Sequence, residues 1–375
     1  MTHVLIASDK FKGSLTAVQV GEAVSRGLRR VRPDVEVTVL PVADGGDGTL
    51  AAAVAAGYWT VPVSASGPTG VTVETSYARS DETAVVELAD VSGLSRLSGG
   101  RLEPLTAGSR GTGEVIGAAL DAGCRRFVLG IGGSAGTDGG AGLISALGAR
   151  LLDAAGCEIA DGGAALGGVA RLDLRDLHPG LADAEIVVAC DVDNPLTGPR
   201  GAAAVYGPQK GAGAADVELL NASLVRWAEV VSAATGADLS ATPGAGAAGG
   251  VGFAAIAVLG ARLRPGIELI LDLVGFHSEL AGADLVVTGE GSLDEQTLAG
   301  KAPAGVAAAA VAAGVPVIAV CGRNLLSVDS CRAAGISAVY SLGDLEPDAR
   351  RSMADAAALL ERLAERIAAD HLVAS

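Results

Sequence analysis

The stretch His3-Val-Leu-Ile-Ala-Ser-Asp-Lys-Phe-Lys-Gly-Ser-Leu-Thr16, followed by an apolar-periodic run to about Arg30 and a second apolar run over residues 35–42, decides the fold. It reads as a strand over 3–7, a loop, a helix capped near Ser14 or Thr16, and a second strand. This is a βαβ unit. Its second strand ends in Ala43-Asp-Gly-Gly-Asp-Gly-Thr49, ahead of an Ala-rich helix. A glycine turn carrying carboxylates therefore falls where open α/β sheets bind their ligands. The far end of the chain repeats the pattern, with a strand over 283–288, the exit loop Gly289-Glu-Gly-Ser-Leu-Asp294, a helix over 302–313, a strand over 316–320 and a last helix over about 347–370.

Between these ends the pattern changes. Residues 59–90 hold alternating Val, Thr and Glu segments broken by Gly67-Pro-Thr-Gly70, which reads as antiparallel strands. A second domain starts there, and two domains are the natural expectation for 375 residues. It continues through Thr106-Ala-Gly-Ser-Arg-Gly-Thr-Gly-Glu114 and a helix, then a strand over 126–130. The loop Gly132-Gly-Ser-Ala-Gly-Thr-Asp-Gly-Gly140 opens another helix, a strand over 185–189 leads into Cys190-Asp-Val-Asp-Asn-Pro195, and glycines over 244–252 open a further helix.

Composition bounds the function. Half the residues are hydrophobic, only 3% are aromatic and 54 are glycine, an α/β composition with many tight turns. A formal net charge of −16 disfavours binding to nucleic acid or to an anionic membrane, so an anionic substrate needs a local positive pocket. Five scattered cysteines without a CxxC pair argue against a disulfide framework or structural zinc, and four histidines without HExxH spacing argue against a zinc hydrolase. No basic and apolar leader precedes the first strand, and residues 302–322, though uncharged and long, are broken by Gly314-Val-Pro316. The expectation is a cytoplasmic protein, monomer or homodimer.

The cations are skewed. Only Lys10, Lys12, Lys210 and Lys301 are lysines, against 23 arginines, and all four lie in glycine-containing loop motifs: Ser8-Asp-Lys-Phe-Lys-Gly-Ser14, Gly207-Pro-Gln-Lys-Gly211 and Ala299-Gly-Lys-Ala-Pro303. A compact ammonium beside backbone N–H groups suits a phosphate site. The 132–140 loop, between an apolar strand and an apolar helix, offers the amides of Gly132 and Gly133 and the hydroxyls of Ser134 and Thr137 to phosphate oxygens. It matches neither GxGxxG in register nor a P-loop. Asp138 in that loop argues for function, since a loop carboxylate is not expected to serve packing. Asp191 and Asp193 leave a strand where acids hold magnesium or accept a proton. Glu290 with Asp294, and Asp44 with Asp47, form two more acidic clusters. Acidic loops beside lysine loops suit a magnesium–polyphosphate site.

These motifs together resemble the bacterial glycerate kinase type I family. The resemblance spans the chain and rests on Asp9-Lys-Phe-Lys-Gly-Ser-Leu15, Ala43-Asp-Gly-Gly-Asp-Gly-Thr49, Gly130-Ile-Gly-Gly-Ser134 with Thr137-Asp-Gly-Gly140, Asp191-Val-Asp-Asn-Pro-Leu196, Tyr206-Gly-Pro-Gln-Lys-Gly211, Gly246-Ala-Ala-Gly-Gly250, and Thr288-Gly-Glu-Gly-Ser-Leu-Asp294 with Gly300-Lys-Ala-Pro303. It implies an α/β protein of two domains: a Rossmann-like parallel-sheet domain built from residues 1–65 and 282–375, and an inserted mixed α/β middle domain over 66–281, with the active site in the cleft between them. It implies ATP-dependent phosphorylation of D-glycerate, chiefly at the 2-hydroxyl, with Mg2+.

In that setting Asp191 and Lys10 are the expected catalytic residues. Lys12, Asp44, Gly45, Gly46, Gly132, Gly133, Ser134, Asp138, Lys210, Gly249, Gly250 and Lys301 are expected to bind substrate or phosphate, and Asp193, Glu290 and Asp294 to hold the metal. The ATP phosphates have two candidate loops, around Gly132 and around Gly246. Arg110 and Thr137 depart from the family pattern, where an aromatic residue and Asn are common, and bear on acceptor preference. The rival readings are a 3-phosphoglycerate-forming enzyme, a kinase of another small hydroxy acid or polyol, and a non-enzymatic small-anion sensor.

Overall fold

The computed structural model describes residues 2–298 and 300–372, so Ala299 of the last lysine motif lies outside the described residues. The chain divides into two compact units: Met1–Asp44 with Ala51–Gly57 and Gly266–Ser375, and Gly45–Leu50 with Tyr58–Pro265.

The first unit holds a five-stranded parallel sheet in the order Ile336–Ser341, Val317–Asn324, Leu285–Leu293, His3–Ser8, Glu36–Val39. Successive side chains of a strand point to opposite faces. Val4 and Ile6 accordingly join one core with the helices Ala17–Val31 and Ala356–His371, while Leu5 and Ala7 join another with Gly266–Leu273 and Ala302–Ala312. Both faces are covered, which is why the strands read as continuous apolar runs. Thr16 starts the first helix through a reciprocal capping box with Gln19. The helix ends where Arg32 and Pro33 interrupt it.

The second unit holds a six-stranded mixed sheet, ordered Arg262–Arg264, Glu185–Ala189, Arg126–Gly130, Thr83–Glu87, Thr72–Ser80, Trp59–Ser66. The first four are parallel and the last two run as an antiparallel hairpin around Gly67–Gly70. A two-stranded ribbon, Arg150–Leu152 with Arg171–Asp173, lies beside it in the same unit.

The structure moves several expected boundaries. The unit boundary falls at Gly57/Tyr58 and Pro265/Gly266, not at 65/66 and 281/282. The reason is pairing: Trp59–Ser66 hydrogen-bonds along its whole length to Thr72–Ser80, and Gly266–Leu273 contributes Ile267, Ile270 and Leu271 to a first-unit core. Residues 289–293, expected as loop, continue the strand because each finds a register partner or neighbour out to Leu293↔Asn324. The last helix is two, Ala349–Ala354 and Ala356–His371. Residues 302–322 form a helix, a turn and most of a strand, and among the described residues no helix is long and apolar enough to cross a membrane.

Helix Ala17–Val31 crosses Ala356–His371 at Gly27, where an added Cβ would lie 2.2 Å from the Glu361 carbonyl oxygen and 2.6 Å from Ala364 Cβ. Arg26 and Arg30 bridge Glu361 at 2.7 and 2.6 Å on either side of this contact. Gly→Ala in an open helix stabilises, but here backbone must move. Gly27→Ala is expected to destabilise by about 1–3 kcal/mol in urea unfolding, whereas Gly168→Ala, with nothing within 4 Å, should change stability by less than about 0.5 kcal/mol.

Candidate active site

In the first unit the carboxyl ends of the parallel strands carry the charged groups. Ser8 Oγ donates to the carbonyls of Asp9 (2.9 Å) and Gly289 (3.0 Å), and Asp9 N donates to Gly289 O at 2.9 Å. This stitch fixes Asp9 beside the strand that bears Glu290. The Asp9 carboxylate accepts Lys10 N at 2.6 Å. Burial, then the charge of Asp44, push its pKa up to about 7 against the Lys10 hydrogen bond and ammonium, with Glu290 adding further repulsion. Glu290 is also raised, first by burial, while a hydrogen bond from Thr297 and the Lys301 charge oppose the rise. Thr297 Oγ1 donates to Glu290 Oε1, and Lys301 Nζ stands 4.0 Å from Oε2. Asp294 serves the local turn, its Oδ1 accepting Gln296 N (2.9 Å) and Thr297 N (3.2 Å). Asp44, Lys10 and Glu290 thus come together around Asp9, with Asp294 and Lys301 beside Glu290, while Lys12 is exposed.

In the second unit, Thr83–Glu87, Arg126–Gly130 and Glu185–Ala189 lie side by side and end at one edge. Glu87 accepts Gly48 N (3.2 Å) and Leu50 N (3.0 Å), and burial raises its pKa. Gly45 and Gly46 lie against Gly130 and Gly132: a Cβ at Gly130 would meet Gly45 O at 2.8 Å, and one at Gly132 would meet Gly46 Cα at 2.7 Å. Only glycine permits that approach.

Beyond Gly133 the loop turns inward. Asp138, 1% exposed, accepts Ser109 N (2.9 Å), Ser109 Oγ (2.8 Å), Gly140 N (3.1 Å) and Gly142 N (3.1 Å). A loop carboxylate here does serve packing, contrary to the expectation, because it collects donors from two helix starts. Lys210 is 2% exposed, donating to Ser134 Oγ at 2.8 Å and to Gly136 O. Gly249 and Gly250, at φ 71° and 96°, bring their backbone onto the same loop, and Gly249 O accepts Gly139 N at 2.9 Å. Ser134, Asp138, Lys210, Gly249 and Gly250 therefore converge as one buried assembly.

Asp191 is exposed in the loop that leaves Glu185–Ala189. Asp193 is bound through both oxygens, at 3.0 Å each, by Arg200 in a solvent-exposed pair. Arg110 is held by Asp161 at 2.6 and 2.8 Å and by Ser145 at 3.2 Å. Thr137 is fully buried with its hydroxyl unpartnered. Among the described residues no group of three His, Cys, Asp or Glu is arranged to hold a metal.

Asp9, Glu87, Ser109 and Thr297 escaped the sequence reading as site residues. Asp9 and Glu87 had a signal: an acid at the end of an otherwise apolar strand, where burial continues but hydrogen-bond partners must come from elsewhere. Ser109 and Thr297 had none.

The glycerate kinase family model matches residues 4–372. A glycerate kinase of Bacillus subtilis is 44% identical over 98% of this chain and 97% of its own length. The glycerate 2-kinase of Escherichia coli is 43% identical over 90% of each chain. A solved structure named for a glycerate kinase 2 of Salmonella typhimurium LT2 superposes with a TM-score of 0.87 at 42% identity, covering 98% of both chains.

Asp9 ties the cluster to stability. A carboxyl raised in the folded state favours folding below its unfolded pKa and loses that contribution as pH rises through about 7. Asp9→Asn, which keeps an acceptor for Lys10 N, should therefore raise Tm in metal-free buffer at pH 8, by about 1 kcal/mol or more of stability. The gain should vanish near pH 4, and thermal scans at the two pH values decide it.

Proposed function

The chain belongs to the glycerate kinase family, and on that premise we propose that it transfers the γ-phosphoryl group of ATP to the 2-hydroxyl of D-glycerate, giving 2-phospho-D-glycerate and ADP. That it is a kinase follows from the family. The choice of the 2-hydroxyl is carried by the near full-length likeness to a relative named for that position.

In this reading the 2-hydroxyl oxygen attacks the γ-phosphorus, its proton passes to the Asp191 carboxylate, and the bond from the γ-phosphorus to the ADP oxygen breaks. Asp191 suits the role because it leaves a strand at its carboxyl end, where open sheets meet ligands. Lys10 and Lys301 stabilise the charge that spreads over the transferred oxygens, as positioned cations do in phosphoryl transfer. Backbone amides of Gly45, Gly46, Gly132 and Gly133, brought together by glycine packing of Gly132 on Gly46, would be the donors to anionic oxygens. Lys12 is a further, exposed cation of the first unit.

Mg2+ keeps most of its water and takes one or two carboxylates plus substrate phosphates, so it does not require an all-protein cage. One or two carboxylates from among the part-buried Asp9 and Asp44 and the buried Glu290, which need not form a three-ligand site, would serve it, with Asp294 near Glu290. When bound with ATP the ion neutralises charge on the polyphosphate.

Incubation with D-glycerate, ATP and Mg2+, read by phosphorus NMR, should show the 2-phosphate; the 3-phosphate would reassign the position, and turnover of another hydroxy acid alone would reassign the acceptor. Asp191→Asn should lower kcat by at least about 100-fold with folding intact, the scale for losing a general base. Lys10→Arg keeps the charge but replaces a compact ammonium with a planar fork. It should lower kcat/KM by about tenfold or more while Tm stays unchanged.

A further inference from the structure

We propose that Lys210 is a positioning residue: its ammonium shapes the Gly132–Gly140 loop from inside the second unit and does not contact the transferred phosphate. The proposal rests on the kinase reading of this site and assigns the lysine a different task from the one its motif suggests.

The lysine ends the turn Pro208–Lys210 with its side chain in the interior, 2% exposed. Its ammonium has three protons, and two are used on Ser134 Oγ and Gly136 O, residues two apart in the loop. That pair of bonds sets the loop's curvature. On the far side stands Gly249, where an added Cβ would lie 2.9 Å from Nζ and 2.1 Å from Gly136 O. The backbone from Ala248 to Gly250 is left-handed at three successive residues, φ 54°, 71° and 96°, and Ala248 holds a conformation that L side chains rarely adopt.

The neighbours close the assembly. Gly249 O accepts Gly139 N at 2.9 Å, and Trp227 Nε1 donates to Gly139 O at 3.0 Å. Asp138 makes its four hydrogen bonds to neutral donors and so needs a countercharge, and the attraction between it and Lys210 resists the burial that lowers the lysine's pKa. With Lys210 2% exposed, carrying the third proton to a ligand outside would mean moving the ammonium off Ser134 and Gly136, with a buried carbonyl then unpaired at about 1–3 kcal/mol. An ammonium so enclosed acts on the loop, and the loop acts on the ligand.

The test is amide hydrogen exchange on the ligand-free full chain, wild type against Lys210→Met, which keeps the length of the side chain without its charge. Amides in residues 134–140 and 249–250 should exchange at least about tenfold faster while those of His3–Ser8 hold their wild-type rates. Unchanged exchange in 134–140, with weakened binding of an unhydrolysable ATP analogue, would mean direct ligand contact and overturn the proposal. Should Lys210→Met fail to fold, Ser134→Ala removes one acceptor of the same ammonium and decides by the same readout: faster exchange in 134–140 supports the assignment and unchanged exchange overturns it. In steady-state assays Lys210→Met should lower kcat/KM at least about tenfold. Because exchange needs no substrate, a wild-type protein inert toward D-glycerate would sink the kinase reading and leave this result standing.

Discussion

Parallel strands covered on both faces have no flank on which a polar side chain can meet water, so polar chemistry is displaced to their ends. His3–Ser8 is the clearest case: alternate residues feed two separate apolar cores, and the first position beyond the strand is Asp9. The same constraint places Glu87 at the end of its strand and Asp191 in the loop after Glu185–Ala189. Each unit thereby gathers acids and glycine turns along one edge of its sheet.

At those edges the two units solve the burial of charge differently. In the second unit the two buried charges of the Gly132–Gly140 assembly are held by fixed donors and acceptors: Asp138 takes four hydrogen bonds, and Lys210 bonds Ser134 and Gly136. Removing any one partner would strand a buried polar group, which is why such a network holds a loop in a single shape. Glycine makes the network compact, since Gly249 and Gly250 occupy positions where a Cβ would fall inside neighbouring backbone.

The first unit leaves its charge in tension. Burial and the charges of Asp44 and Glu290 raise the proton affinity of Asp9, burial and the charges of Asp294 and Asp44 raise that of Glu290, and Lys10 and Lys301 offset this only in part. Clusters of that kind weaken a fold, and they persist where a ligand of the opposite sign completes them. In the proposed reading Mg2+ is such a ligand, while the anionic phosphates would be met by Lys10 and Lys301. The unpartnered hydroxyls of Thr288 and Ser292 lie on the same strand as Glu290, so the unsatisfied polar groups and the repelling acids share one element.

By itself the sequence determined the α/β class, the opening βαβ unit, the antiparallel hairpin before the middle sheet, the glycine and acidic loops at strand ends, and the family. All but the family, which rests on the resemblance of whole motifs, follow from short-range pattern: a period of two or 3.6, a cap, a turn glycine. Tertiary structure alone decided what the loop charges do. Lys210 and Ser134 are 76 residues apart, and Asp138 and Ser109 are 29 apart, so no local pattern announces that one ammonium is interior or that one carboxylate is a hub. The continuation of Leu285–Leu293 through Gly289-Glu-Gly-Ser-Leu293 was hidden for the same reason, because glycines read as loop until Val317–Asn324 supplies the hydrogen bonds. Periodicity records which side of an element faces a core, whereas the fate of a polar group depends on partners that only the folded chain brings near.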